Sequence, residues 1–225
     1  MQLSTCDTKR CFLCTASIPE WRDVITARKE TRIYKKGELI FTEGDKVSGI
    51  YFVYEGAVKV HTHWGEEKEL IIRFSTTGDI LGHRGIAGEV YPVSATALED
   101  TKVCFITNEF LEATMKTNPL FTQRLLQFYA SELQKAERRM RNLAHMEVKG
   151  RIAETLLELQ QIFGINKEKY IKLPITRQDI SAHAGTTYET VFKFFTELTN
   201  ANIITTSGKS IRINSEKKLR AYIPV

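Results

Sequence analysis

The chain has 225 residues, 42% of them hydrophobic, enough for one large domain or two modest ones, each with its own core. Gly and Pro number only 13 and 5 and 26% of residues are charged, which excludes collagen-like and disordered chains; no stretch reaches the about 18 uninterrupted apolar residues of a membrane span. The net charge of +5 is unevenly held: residues 1–118 carry 15 Lys and Arg against 17 Asp and Glu, residues 119–225 carry 17 against 10, so the C-terminal half suits a polyanionic partner or a solvated basic surface.

Residues 1–31 read as a cysteine-containing arm. It lacks the apolar core and small-residue cleavage site of a secretory signal, which predicts a cytoplasmic chain with reduced thiols. Cys6, Cys11 and Cys14 crowd into nine residues and Cys104 stands far downstream; in a reducing compartment these read as metal ligands, a redox switch or chance, not as a disulfide framework.

Residues 32–118 form a train of short β-branched and aromatic runs, ELIF, GIYFVY, AVKVHT, ELIIRF, SATAL and KVCFIT, punctuated by glycines from Gly37 to Gly82. That spacing predicts an antiparallel all-β sandwich or barrel, with turns at Glu66-Glu67 and Thr77-Gly78-Asp79. After Asn118-Pro119 the period becomes helical. Leu126, Tyr129, Leu133, Ala136, Met140 and Leu143 step by alternate threes and fours, a heptad seam that predicts a homodimer, or else a helix lying along its own β domain. Residues 119–147 are this helix and a hinge, since His145 to Gly150 interrupts the seam and the helix resumes at Arg151 with a different apolar face.

Residues 148–225 carry two short helices and a hairpin. Thr176 caps a helix to His183, Gly185 permits a left-handed turn, Thr187 caps a second helix to Asn200, and Ile203 to Asn214 turns at Ser207-Gly208-Lys209 as a wing. Ile180, Ala184, Val191, Phe195 and Leu198 pack the two helices together. Tyr188, Glu189, Thr190 and Lys193 remain exposed, with Arg177 and Gln178 at the first helix's start. A helix entering a DNA major groove needs such donors and acceptors in its first turns.

In this order, and from about Arg32 onward, the chain resembles the Crp/Fnr family of bacterial transcription regulators. The stretch YKKGELIFTEGDKVSGIYFVYEGAVKV is similar to the family's cyclic-nucleotide-binding-type β-roll, VKGRIAETLLEL to its post-hinge helix, and ITRQDISAHAGTTYETVFKFF to its DNA-reading element. The resemblance implies an α+β chain with an N-terminal antiparallel β-roll (a double-stranded β-helix or jelly roll), a long dimerisation helix and a C-terminal winged helix-turn-helix. It further implies a homodimer on palindromic double-stranded DNA, no membrane, no enzymatic activity, and contact with RNA polymerase if the protein is an activator. Thr176, Arg177, Gln178, Thr187, Thr190 and Lys209 would position phosphates, and Tyr188, Glu189 and Lys193 would face bases. Tyr188 departs from the Arg or small aliphatic residue of the best-known members and Phe192 is bulky beside it, so the half-site cannot be borrowed.

The resemblance also locates an effector pocket at Gly82, His83, Arg84, Ser94 and Ala95. His83 stands where the cyclic-nucleotide binders carry the ribose-binding Glu and Val93 where they carry the phosphate-binding Arg. Losing that guanidinium argues against cyclic AMP; another anion held by Arg84 and the amides near Gly85, or an empty pocket, stays open. Cys6, Cys11, Cys14 and Cys104 resemble the ligands of the oxygen-sensing branch, where three N-terminal cysteines and one β-roll cysteine hold a [4Fe-4S] cluster, although the usual order of short and long gaps is reversed here. Zinc, a thiol switch or no metal are the alternatives. His61-x-His63-x3-Glu67 partly matches a cupin metal motif, which leaves a cupin-like metal-binding protein, or haem held by one of these histidines, as rivals.

Overall fold

Residues 10–65, 68–86 and 88–224 are described by the computed structural model. Their contacts divide the chain into two units: one runs to Thr62 and again over Ile72–Leu133, the other takes His63–Ile71 and Gln134–Val225. Among the described residues no helix is long and apolar enough to cross a membrane.

In the first unit, α1 (Phe12–Ala16), a 3-10 turn over Pro19–Trp21 and α2 (Arg22–Arg28) lead into β1 (Glu30–Tyr34). There follow β2 (Leu39–Phe41), β3 (Gly49–Glu55), β4 (Ala57–Trp64), β5 (Lys68–Thr76), β6 (Ile80–Leu81), β7 (Ser94–Ala97) and β8 (Thr101–Thr107). They make two four-stranded sheets, ordered β1-β8-β3-β6 and β2-β7-β4-β5. The six expected strands are all present; β1 and β6, the edges of the first sheet, are additional.

Alternation along β3 and β8 sorts their side chains into two cores. Tyr51, Val53, Val103 and Phe105 join the cluster with Phe41, Val58 and Ala95. Ile50, Phe52, Cys104 and Ile106 face the other way and join Leu13, Ile25, Leu111, Phe121 and Leu125, supplied by helices. Two of those helices are α3 (Asn108–Thr117) and α4 (Pro119–His145). Asn118 accepts from the Phe121 amide at 3.1 Å through Oδ1, and Pro119 follows it, the expected order of a helix start. The described part of the arm is core, not appendage: the Phe12 amide donates to the Gly78 carbonyl at 3.2 Å and Trp21 Nε1 to Thr114 Oγ1 at 3.2 Å.

In the second unit α4 ends at His145 and α5 (Val148–Phe163) begins three residues later, earlier than the resumption expected at Arg151. Gly150 is required at this break, because a Cβ there would come 2.7 Å from the Tyr222 carbonyl. Next come α6 (Arg177–Ala184), α7 (Tyr188–Asn200), the hairpin β9 (Ile204–Ser207) and β10 (Ser210–Ile213), and α8 (Glu216–Arg220). Ile180, Ala184, Val191, Phe195 and Leu198 are all buried, as their spacing predicted. Gly185, at φ 62° and ψ 51°, turns α6 into α7; a Cβ there would be strained and would lie 2.8 Å from Leu143 Cδ2.

Candidate nucleic-acid interface and sensor site

Helices α6 and α7 start from side-chain caps. Thr176 Oγ1 accepts from the Asp179 amide at 3.0 Å, and Thr187 Oγ1 from the Thr190 amide at 3.3 Å. Both caps leave the first turns of α6 and α7 ordered and positively polarised. Thr176, Arg177, Gln178, Tyr188, Gly208 and Lys209 then line one cleft of about 200 Å³. Residues from α6, the start of α7 and the hairpin turn therefore share one surface. Glu189 and Lys193 continue it as exposed positions along α7.

Arg177, expected to position a phosphate, also packs on aromatic rings. It is half-buried, its guanidinium carbon lies 5.4 Å from the Phe195 ring centre and 5.9 Å from that of Phe192, and its buried Nε has no hydrogen-bond partner among the described residues. The cation thus braces the aromatic side of α7.

Beneath α6, His183 ties the helix to α4. Arg139 Nη1 donates to His183 Nε2 at 2.9 Å, Arg139 Nη2 donates to the His183 carbonyl at 2.7 Å, and Thr155 Oγ1 lies 3.1 Å from Nδ1. Arg cannot accept, so Nε2 must be unprotonated and the ring neutral. Burial, reinforced by the Arg139 charge, pushes His183 down from 6.5 to about 3. Arg151 adds a second tie that residue type did not foretell, donating to the carbonyls of Met146 at 2.7 Å, Ala184 at 2.8 Å and Gly185 at 3.3 Å. Asn142 Nδ2 also donates to both Glu154 carboxylate oxygens, at 3.1 and 3.0 Å.

Because the folded pKa of His183 lies below its unfolded value, the stability it contributes is present above pH 6.5 and is lost as pH falls toward 3. Between pH 6.5 and 5 the unfolded chain gains a proton that the folded site refuses, a loss of about 2 kcal/mol. Thermal unfolding of His183→Gln should show a shallower acid slope than the parent over that interval; equal slopes would remove His183 from the account.

In the first unit, the candidate effector residues have two sets of partners. Ser94 Oγ accepts from the Glu43 amide at 2.9 Å, and Ala95 belongs to the inter-sheet core. Gly82, at φ 76°, precedes the turn that carries His83 and Arg84. His83 is buried against Phe128 and Tyr129 of α4, at ring-centre distances of 4.9 and 5.5 Å, and its carbonyl accepts the Tyr129 hydroxyl. Burial, followed by the charges of Arg73 and Arg84, pushes its pKa down to about 2.

Two residues absent from the expectations complete this cluster. Glu132 Oε2 lies 3.4 Å from Arg73 Nη1 and 3.6 Å from Arg84 Nη2. A carboxylate of the chain itself thus faces the guanidiniums that an anionic effector would seek. Nothing local marks Glu132, which reads as one more charge on a long polar helix.

Cys11, Cys14 and Cys104 are 6%, 2% and 2% exposed and share the apolar cluster on the helix-covered face of β3 and β8. Cys6 lies outside the described residues. His61 is buried with Nε2 2.8 Å from Thr96 Oγ1, His63 is exposed, and Glu67 lies outside the described residues. Of the seam residues, Leu126, Leu133, Ala136 and Met140 are exposed, whereas Tyr129 and Leu143 are half-buried against their own chain.

Residues 31–118 match the family model described as a cyclic nucleotide-binding domain, and residues 150–222 that of a Crp-like helix-turn-helix domain. The transcriptional activator protein FnrA of Stutzerimonas stutzeri is 31% identical over 188 residues, 82% of this chain and 77% of its own. The fumarate and nitrate reduction regulatory protein of Vibrio cholerae is 28% identical over 200 residues, 88% of this chain and 79% of its own. The solved structure of FixK2 from Bradyrhizobium japonicum superposes with a TM-score of 0.79 at 26% identity, covering 88% of this chain and 98% of that one.

Proposed function

The chain belongs to the Crp/Fnr family of transcription regulators, with a DNA-binding helix-turn-helix, and we propose that as a homodimer it reads a palindromic promoter site under oxygen or redox control. The observation that carries the DNA half is the cleft where Thr176, Arg177, Gln178, Tyr188 and Lys209 meet in front of the capped start of α7. The two hydroxyl-bearing caps and the cation of Lys209 suit phosphates, and Glu189 and Lys193 suit the donor and acceptor edges of bases. The exposed stripe of Leu126, Leu133 and Met140, 70%, 61% and 68% exposed at heptad spacing, supports pairing of α4 with its copy.

For the sensor, the donor chemistry favours a [4Fe-4S] cluster held by Cys6, Cys11, Cys14 and Cys104. Three of these thiols share one apolar cluster, and four cysteine sulfurs are the ligand set that an iron–sulfur cluster takes. When bound, the group would supply oxygen-sensitive iron–sulfur chemistry at that face. The Vibrio relative is named as a regulator of fumarate and nitrate reduction, both redox processes. Cyclic AMP is disfavoured, because Val93 has no guanidinium and Glu132 already faces Arg73 and Arg84.

The route from sensor to reader is α4. Phe121 and Leu125 belong to the cysteine cluster's core, while Arg139 and Asn142 of the same helix hold His183 and Glu154. Two states of the helix pair would therefore set the separation of two α7 helices, whose half-sites lie about 34 Å apart.

The DNA half is tested with a duplex selected from random sequence. Glu189→Ala should relax specificity at one base pair per half-site, costing about 1 to 3 kcal/mol. Lys209→Ala should weaken all sequences similarly and reduce the salt slope by about one. Equal losses by Glu189→Ala on selected and random DNA would defeat the base-reading role.

A further inference from the structure

On the exposed face of α7, two aromatic rings stand one turn apart. Tyr188 and Phe192 are 42% and 51% exposed, while the neighbouring Phe194 and Phe195 are 2% and 3% exposed. The exposed rings stack on each other, centres 6.5 Å apart and planes 23° from parallel. Packing within the chain does not explain why Phe192 presents half its surface to water, at a standing hydrophobic cost.

We propose that Tyr188 and Phe192 together are the specificity-determining surface of the DNA reader, selecting a thymine through its C5-methyl group in each half-site. This rests on the DNA-reading function proposed above and says which base chemistry the helix prefers. In the major groove, the thymine methyl is the apolar feature of a base edge, and an aromatic or aliphatic side chain is its natural contact. The charge around the rings suits a nucleic acid. Glu189 and Lys193 flank them along α7, Arg177 lies behind Phe192 at 5.9 Å, and Lys209 lines the same cleft as Tyr188. Cations beside such rings suit phosphates while the rings suit a base edge.

The experiment uses the full chain and duplexes selected from a random library. Each thymine of the selected half-site is replaced by deoxyuridine, which removes the methyl group and nothing else, and binding is followed by fluorescence anisotropy. One or two positions per half-site should lose about fourfold in affinity on methyl removal, the equivalent of one buried carbon at about 0.8 kcal/mol, with a larger loss when both half-sites are changed. Phe192→Ala should bind the thymine duplex more weakly and no longer distinguish it from the deoxyuridine one, and Phe192→Leu should restore part of the discrimination. Indifference of the parent to deoxyuridine at every position, or discrimination that survives in both Phe192→Ala and Tyr188→Ala, would overturn the proposal. So would a Phe192→Ala chain that changes only its self-association, which would make the rings a protein contact. Failure to enrich any duplex would defeat the DNA-reading assignment and this inference with it, an outcome distinct from tight binding without methyl discrimination.

Discussion

Glutamate in place of Leu133 is expected to leave the chain monomeric at micromolar concentration and to lower its affinity for a palindromic duplex at least about 100-fold, since binding then loses the second half-site. Leu126, Leu133 and Met140 are 70%, 61% and 68% exposed at seven-residue intervals, an apolar stripe on a helix whose other faces are polar or turned to its own chain. Across a two-fold axis a charge at the middle of that stripe meets its own copy, adding like-charge repulsion to the lost burial. Sedimentation equilibrium reads the mass and anisotropy the affinity; Arg138→Glu, exposed on the same helix but off the stripe, should change the mass in neither direction. Weak binding to random DNA should survive in the Leu133 variant, because it depends on Lys and Arg meeting phosphate and not on symmetry. A dimeric Leu133→Glu chain with unchanged affinity would return α4 to the role of a helix lying along its own domain.

How much of the fold is legible in the residues follows from how local each signal is. Strands β2 to β5, β7 and β8 alternate or run apolar because both sheets bury a face, and the Thr176 and Thr187 caps bond to amides only three residues away, so residue type and spacing suffice. The edge strand β1 did not announce itself: its burial runs exposed, exposed, intermediate, exposed, intermediate, leaving no hydrophobic alternation to see. Helices α1 and α2, of 5 and 7 residues, are shorter than propensity can sustain alone and owe their form to the core they enter. The meeting of Arg73, Arg84 and Glu132 was equally hidden, since it joins a strand, a turn and a helix far apart in the chain. The placing of Arg177 by Phe192 and Phe195 was hidden too, since it joins the start of α6 to the middle of α7.

Alanine at Cys104 is expected to abolish iron binding while leaving the fold intact. Cys104 is 2% exposed and pairs in register with Phe52 between β8 and β3, within the cluster that also holds Cys11 and Cys14. Losing one sulfur from such a site removes little packing, because a buried cysteine behaves as a small hydrophobe, and serine would be the poorer control since it would place a hydroxyl among apolar neighbours. As a ligand the same atom has no substitute. The parent chain purified without oxygen should therefore carry about four irons and matching sulfide with visible absorption, and should change its dimerisation or DNA affinity on exposure to air. Cys104→Ala should be colourless and iron-free, with a thermal midpoint close to the parent's and DNA binding indifferent to air. An iron-free parent, with Cys104→Ala altering only the thermal midpoint, would make these cysteines packing residues. Sensing would then fall to the turn at His83 and Arg84, where Tyr129 and Glu132 already connect it to α4.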